Sequence, residues 1–517
     1  MDYKILLLLS LVHFGTLLCQ VKAQHENIPY QSVTNICKTC ECLTAQDANK
    51  HYHYVLNCAV KKFEHILARW PPEFGNNHNG IDIVATYSGN YIDILQQLPA
   101  TNSSLSFTCR HCSIKHLQVP TFMDVPYLKR LDISWNEITS YELTPDVFRG
   151  PYRATRYEPI ALTDLDLSNN KLHTLDRKLF EHTPNLTKLN LSNNKFGVLD
   201  VPTTVALAMT PSLEILDLSY TGIETLTDEM FKPLVNLKSL NLAGNKLTVV
   251  PAGFKFIGQS LEILNLAENS LKGLTEQNFV GLKVLKRLNV SDTKSLVAIE
   301  KHTFSRLETL EYLYCSHNPK LEYFDLDSLL HCNNLTYLDI SHCNISTLTI
   351  GMDLSKTTTL NGTNLTLPQP WPKLQVFETT GNPWLCDCEL FQLLEFAGSH
   401  HQRKEAETRC DSPYLLAGAR FSNLTAEQVC SMQIPKKYHV VDEDPPRFLR
   451  KRYIILTAII ASVVLILGLM IGFVVSCIRR RLKRDDFGVE PIRYTSVRSS
   501  NLSAFSHVNS NGNTNNA

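Results

Sequence analysis

Apolar residues along the middle of the chain recur in one frame, L-x-x-L-x-L-x-x-N-x-L. Leu128, Leu131, Ile133, Asn136 and Ile138 make one copy, and Leu162, Leu165, Leu167, Asn170 and Leu172 make the next. In later copies the asparagine position falls at Asn194, Thr221, Asn245, Asn269, Thr293, Asn318 and Cys343, spaced 27, 24, 24, 24, 25 and 25 residues apart. A weaker copy precedes them (Phe107, Cys109, Cys112, Ile114, Leu117), and a last one runs through Leu374, Phe377 and Asn382. The leucines show no 3.6-residue period, so a bundle of amphipathic helices is excluded.

Each position of the frame predicts a piece of structure. Alternation such as Leu189-x-Leu191 predicts a short strand with both side chains inward, and Asn194 stands where a turning backbone needs hydrogen-bond partners. Phe148, Phe180, Phe231, Phe254, Phe279 and Phe304 recur later in the copies and predict a stacked layer on the opposite side. One copy cannot bury its leucines alone, so the copies stack into a curved solenoid with a parallel sheet on its concave face.

The frame resembles the leucine-rich repeat family in its 24-residue extracellular form, over about residues 104–382. A solenoid exposes core at each end and needs caps there. Cys386, Cys388, Cys410 and Cys430, after Asn382-Pro383-Trp384, look like the family's C-terminal cysteine-rich flank. That likeness implies the pairs Cys386–Cys410 and Cys388–Cys430. Cys37, Cys40, Cys42 and Cys58 resemble the N-terminal flank; the interval from Cys42 to Cys58 is long for it and leaves the pairing open. The fold class implied is an α/β-type leucine-rich repeat solenoid, a horseshoe with disulfide caps, plus one transmembrane helix. Within the family the chain looks like the capricious and tartan type and the trophoblast glycoprotein type.

The ends fit a secreted, anchored chain. Lys4, the apolar run after it and Val21-Lys22-Ala23 read as a signal peptide cut before Gln24. Ile454 to Ile478 carries no charge and is long enough to cross a bilayer. Basic residues flank it on both sides, Arg447, Arg450, Lys451 and Arg452 before and Arg479 to Arg484 after, so the signal fixes the N-terminus outside. The expected layout is signal 1–23, N-terminal cap and lead-in 24–103, about 11 repeats over 104–382 with a glycosylated loop at 349–373, C-terminal cap 383–432, stalk 433–453, transmembrane helix 454–478 and cytoplasmic tail 479–517. The expected location is the plasma membrane, single-pass type I. Gly468 and Gly472 form a GxxxG that would let two spans dimerise. In the tail, Tyr494 and Val497 match a tyrosine-based endocytic pattern.

Secretion changes how the cysteines read. Of 15, Cys19 lies in the signal and Cys477 at the inner membrane edge, leaving an odd number in an oxidising compartment, where at least one stays unpaired within the chain. Cys109, Cys112, Cys315, Cys332 and Cys343 are unassigned. A zinc knuckle at Cys37-Lys-Thr-Cys40-Glu-Cys42 with His51 or His53 is the rival reading, and oxidation favours disulfides over it. Sequons make Asn102, Asn185, Asn190, Asn289, Asn334, Asn344, Asn361, Asn364 and Asn423 glycosylation candidates.

Strand alternation places Asp132, Asp166, Asn190, Asp217, Asn241, Asn265, Asn289, Tyr314 and Asp339 in one concave column. The acidic and amide side chains there read as a solvated polar ladder. Tyr312, Tyr314 and Tyr337 depart from it, on two neighbouring coils, and tyrosines so placed suit a protein interface. A glycan on Asn289 would stand beside Tyr314 and compete with that use. Ile215 and Ile263 also face outward.

Lysine plus arginine equals aspartate plus glutamate, 50 against 50, so charge gives no pointer to nucleic acid. No Gly-rich phosphate loop, nucleophile elbow or HExxH occurs, and the 18 histidines are dispersed, so no enzyme, cofactor or metal is expected. The reading is a cell-surface receptor that recognises an extracellular or cell-surface protein in adhesion or in neuronal or epithelial recognition, with homophilic binding as one form. The alternatives are a co-receptor capturing a secreted ligand and an innate pattern receptor without a signalling domain of its own.

Overall fold

The computed structural model describes residues 35–46, 52–71, 74, 81–351, 359–360, 363–364, 371–398 and 408–431. The chain divides into units 1–434 and 435–517, and every described residue lies in the first. The signal peptide, the stalk from 433, the span with Gly468 and Gly472, the tail with Tyr494 and Val497, and Asn361 lie outside the described residues. No helix among the described residues is long and apolar enough to cross a membrane.

Strands β1 (Glu41–Gln46) and β2 (Tyr52–Asn57) form an antiparallel hairpin, and β2 pairs in parallel with β3 (Asp82–Thr86). The sheet is parallel from there: β4 (Leu105–Thr108), β5 (Leu128–Asp132), β6 (Asp164–Asp166), β7 (Lys188–Asn190), β8 (Ile215–Asp217), β9 (Ser239–Asn241), β10 (Ile263–Asn265), β11 (Arg287–Asn289), β12 (Tyr312–Tyr314), β13 (Tyr337–Asp339) and β14 (Val376–Glu378) complete 14 strands in chain order. The central leucines align across β6 to β13, Leu165 against Leu189, Leu216 and onward to Leu338, and all are buried.

The solenoid starts upstream of the frame read from the sequence. Ala85, Tyr87, Asn90 and Ile92 make a coil on β3, with alanine and tyrosine where leucines are expected, and all four are buried. Asn90 Oδ1 accepts the Lys61 and Phe63 amides at 3.0 Å each, and its Nδ2 donates to the Cys58 carbonyl at 2.9 Å. The N-terminal cap therefore joins the solenoid through the same device that joins the repeats.

That device is the frame asparagine. Asn136 Oδ1 accepts the Cys112 and Ile114 amides of the preceding coil at 2.9 and 3.1 Å, while Nδ2 donates to the carbonyls of Cys109, Ile133 and Ser134. Asn170, Asn194, Asn245, Asn269, Asn318 and Asn382 repeat the arrangement. A buried turn with several unpaired backbone groups would be costly, and one amide satisfies groups of two coils. The residue before each of these positions lies in the left-handed region, at Trp135, Asn169, Asn193, Tyr220, Gly244, Glu268, Asp292, His317, His342 and Gly381, with φ between 53° and 72°.

The convex side is built from short 3-10 turns such as Pro145–Phe148, Asp228–Phe231, Ala252–Phe256 and Glu276–Phe279. They bring the phenylalanines into contact, Phe122 with Phe148 at 5.8 Å, Phe231 with Phe254 at 5.2 Å and Phe279 with Phe304 at 5.6 Å between ring centres. Helices are scarcer here than an α/β label implies, because a coil of this length has little room for one. The exception is α1 (Val201–Ala208), capped by Asp200, whose carboxylate accepts the Thr203 amide; it accounts for the longer step from Asn194 to Thr221.

Among the described residues five disulfides are formed: Cys37–Cys42, Cys40–Cys58, Cys109–Cys112, Cys386–Cys410 and Cys388–Cys430. At the C-terminal end Trp384 is buried with its indole donating to the Thr379 carbonyl at 2.8 Å. Helices α2 (Cys388–Gly398) and α3 (Ala426–Cys430) close over the last coil, tied by Cys388–Cys430. The tryptophan and its flanking cysteines thus cover core that a further repeat would otherwise cover. Cys315, Cys332 and Cys343 are free and buried.

Candidate binding face

The middle concave column is structural as well as polar. Asp132, Asp166, Asn190, Asp217, Asn241, Asn265, Asn289 and Asp339 each accept, through Oδ1, the backbone amide two residues on. Short Asp and Asn side chains make this bond where a strand gives way to the turn, which explains their recurrence. Neighbours also bond along the column, Asn190 Nδ2 to Asp166 Oδ2 at 3.2 Å and Asn241 Nδ2 to Asp217 Oδ2 at 2.9 Å.

Tyr314 gives up that bond, because a phenol is too long to reach back to the amide two residues on. Its ring centre lies 5.0 Å from that of Tyr337 on β13, which lies 6.4 Å from Tyr312 on β12. The Arg287 guanidinium on β11 sits over the Tyr312 ring, 4.8 Å from its centre. All three tyrosines are half-buried. Burial pushes the Tyr337 phenol up to about 12, with Asp339 and Glu378 adding in the same direction, so it stays a neutral donor. The patch therefore offers three phenols and one guanidinium on a rigid sheet, a combination suited to burying against a protein surface.

Next to it, at the turns ending the same coils, the exposed His317 and His342 rings stack at 4.7 Å, and the His342 ring lies over Gly381. Ile215 and Ile263 are exposed on β8 and β10, separated by Ser239. Asn289 faces Tyr314 directly in the strand register, so a sugar on it would meet the patch.

The other sequons differ in setting. Asn102, Asn185, Asn344 and Asn423 are exposed, whereas Asn190, Asn289 and Asn334 are half-buried. Asn334 Nδ2 donates to the Glu308 carbonyl at 3.0 Å and Asn344 Nδ2 to Glu322 Oε1 at 3.0 Å. Asn364 falls in a short hairpin, Thr359–Leu360 with Thr363–Asn364, inside the predicted loop. The loop is pinned where it leaves and rejoins the coils: Gly351 donates its amide to Asp327 Oδ1 at 2.8 Å, and the Trp371 indole donates to the Leu329 carbonyl at 3.0 Å. No group of three or more metal-ligating side chains occurs among the described residues.

Fold and disulfides together define a capped leucine-rich repeat solenoid. Leucine rich repeat descriptions match residues 160–201, 211–259 and 284–345, and a second such description matches residues 126–140. CD180 antigen of Mus musculus is 29% identical over 353 residues, 67% of this chain and 45% of that protein. Leucine-rich repeat serine/threonine-protein kinase 1 of Caenorhabditis elegans is 30% identical over 130 residues, 24% of this chain and 5% of that protein. The chain thus spans less than half the length of these curated relatives. Among solved structures, human 5T4, a trophoblast glycoprotein, shows 19% identity over 50% of this chain and 91% of that one, with a TM-score of 0.38. A Listeria monocytogenes internalin shows 15% identity over 64% and 84%, with a TM-score of 0.42. At such TM-scores neither likeness bears on function. The chain carries leucine-rich repeats with cysteine-rich ends and is similar to CD180.

Proposed function

We propose that the chain is a single-pass type I receptor of the plasma membrane that recognises an extracellular or cell-surface protein through Tyr312, Tyr314 and Tyr337. The observation that carries this reading is the substitution of Tyr314 into a column of turn-bonding Asp and Asn residues. The coil forgoes a hydrogen bond there and presents an aromatic side chain packed against Tyr337, which in turn meets Tyr312. Rigid aromatic side chains lose little entropy on docking, and a neighbouring guanidinium adds a directional contact. The role we assign is adhesion or recognition between cells, with the solenoid as the rigid reader.

The test applies the ectodomain, Gln24 to about Asp442, fused to a dimerising tag, to cells with and without the full chain. Binding only to expressing cells makes recognition homophilic. Binding to other cells makes it heterophilic, and binding only after a secreted factor is added makes the chain a ligand-capturing co-receptor. Y312A/Y314A/Y337A should weaken whichever binding is seen by at least ten-fold at unchanged surface display; unchanged binding removes the patch from the interface.

A further inference from the structure

The step from Asn136 to Asn170 is 34 residues, ten longer than the 24-residue coils. The extra length is an antiparallel hairpin, Tyr152–Arg153 with Arg156–Tyr157, projecting from the end of the Pro145–Phe148 turn. Tyr152 to Arg156 is exposed throughout, so the tip adds nothing to the core while its ordering costs backbone entropy. Its base is well made: the Gly150 and Glu158 amides donate to the Glu158 and Pro151 carbonyls at 3.1 and 2.9 Å, and a Cβ on Gly150 would overlap the Glu158 carbonyl.

The register sets Arg153 directly opposite Arg156 and Tyr152 directly opposite Tyr157. Two like charges at one cross-strand pair oppose hairpin formation. Only Arg153 has a carboxylate near it, Glu158 at 3.6 Å, and Arg156 has no acidic partner among the described residues. The rings brace the pair from behind. Tyr152 and Tyr157 meet edge to face at 5.1 Å, and the Arg149 guanidinium lies 4.5 Å from the Tyr157 ring centre.

We propose that this hairpin tip binds the sulfate groups of an extracellular sulfated polysaccharide. Two exposed arginines at facing cross-strand positions become favourable neighbours when anionic oxygens bind both, and a guanidinium can donate two hydrogen bonds to one sulfate. A protein partner is the weaker fit, because the tip is narrow and its tyrosines are spent on each other, whereas stable protein interfaces bury a broad apolar centre. A linear polyanion needs only local contacts. The site is on a different element from the tyrosine patch and does not depend on that reading.

The test displays the full chain on cells deficient in glycan sulfation and measures fluorescent heparin bound per displayed copy. R153A/R156A should lower binding at least five-fold and release heparin at lower salt, R153K/R156K should keep the charge but only part of the binding, and chemically desulfated heparin should not bind. Wild-type binding by R153A/R156A, with loss instead in R447A/R450A, would place the polyanion on the stalk and overturn the proposal. So would equal binding of desulfated heparin, or a polyglutamate peptide that binds through Arg153 and Arg156 where heparin does not, which would make the occupant an acidic protein.

Discussion

The Tyr220 ring lies across Gly244, and its hydroxyl donates to Glu268 Oε1 at 2.5 Å, so one side chain spans the turns of three successive coils. All three residues occupy the left-handed position before the frame asparagine, or before the threonine that replaces it at Thr221, with φ of 55°, 66° and 55°. Gly244 answers two demands at once. It takes the backbone conformation without strain, and it leaves space for the ring. The turns are therefore coupled along the solenoid outside the sheet as well as within it.

Replacing Gly244 by alanine should cost about 1–2 kcal/mol for the left-handed conformation. A further cost of about 1–3 kcal/mol is expected because the Cβ would overlap the Tyr220 ring. In Y220A/G244A the second cost should disappear. A double-mutant cycle by chemical denaturation measures the difference; strictly additive losses would mean that the ring leaves Gly244 freely.

Asn245 holds a whole turn. Its Oδ1 accepts the Thr221 and Ile223 amides at 3.2 and 3.0 Å, and Nδ2 donates to the carbonyls of Leu218 and Leu242 at 2.9 Å each. N245A leaves these groups buried without partners, at about 1–3 kcal/mol for each one that water cannot reach. We expect a loss of about 3 kcal/mol or more, and local deuterium exchange at Thr221 and Ile223 should rise before that of distant coils. Uniform exchange across the sheet would show that the turn does not open on its own.

How far the sequence discloses this architecture depends on where chemistry is forced. The frame asparagine is nearly obligatory, since few side chains can both donate and accept across two coils; Asn136 to Asn382 therefore mark the solenoid in the bare sequence. The coil at Asn90 escapes the frame because Ala85 and Tyr87 fill inward positions by packing, which tolerates many apolar shapes. The hairpin at 152–157 leaves only a longer step between asparagines as its trace. The pairing of Cys109 with Cys112 is equally hidden, since the frame places them at an inward and a turn position without saying that the two sulfurs converge. On the concave face, the tyrosines stand out in the sequence as departures from a polar column. The reason that column exists, a side-chain bond to the amide two residues on, needs the coordinates.

Sugar occupancy should follow the same bonds. Attachment to Asn190 would replace a hydrogen on Nδ2, which already donates to Asp166 Oδ2, while Oδ1 accepts the Ser192 amide at 3.0 Å. Asn190 should therefore be glycosylated less fully than the exposed Asn102, Asn185 and Asn423. Site-by-site mass spectrometry of the secreted ectodomain reads this directly. Full occupancy at Asn190 with bare Asn102 would mean that folding around Asp166 follows glycan transfer and does not restrict it.

The three free thiols among the described residues give the fold an alkaline limit. Burial pushes Cys343 up to about 11 and Cys332 up to about 12, and burial with Cys343 and Asp339 nearby raises Cys315 as well. An unfolded cysteine loses its proton at about pH 8.5. Between that pH and the folded values the native state holds protons that the unfolded state has shed, so stability falls as pH rises, by up to ~1.4 kcal/mol per thiol for each pH unit. Below pH 8 these groups contribute no pH dependence. Denaturation midpoints should thus drop from pH 8 to pH 10.5, and C332A, whatever it costs in packing, should drop less steeply. At pH 8 the native chain should resist iodoacetamide at all three thiols, while denaturation without reductant should expose these three and leave the bonded cysteines unlabelled. Rapid native labelling of Cys332, or an unchanged slope in C332A, would mean that its sulfur is in contact with water and that the convex side between Phe304 and Leu329 is looser than its packing implies.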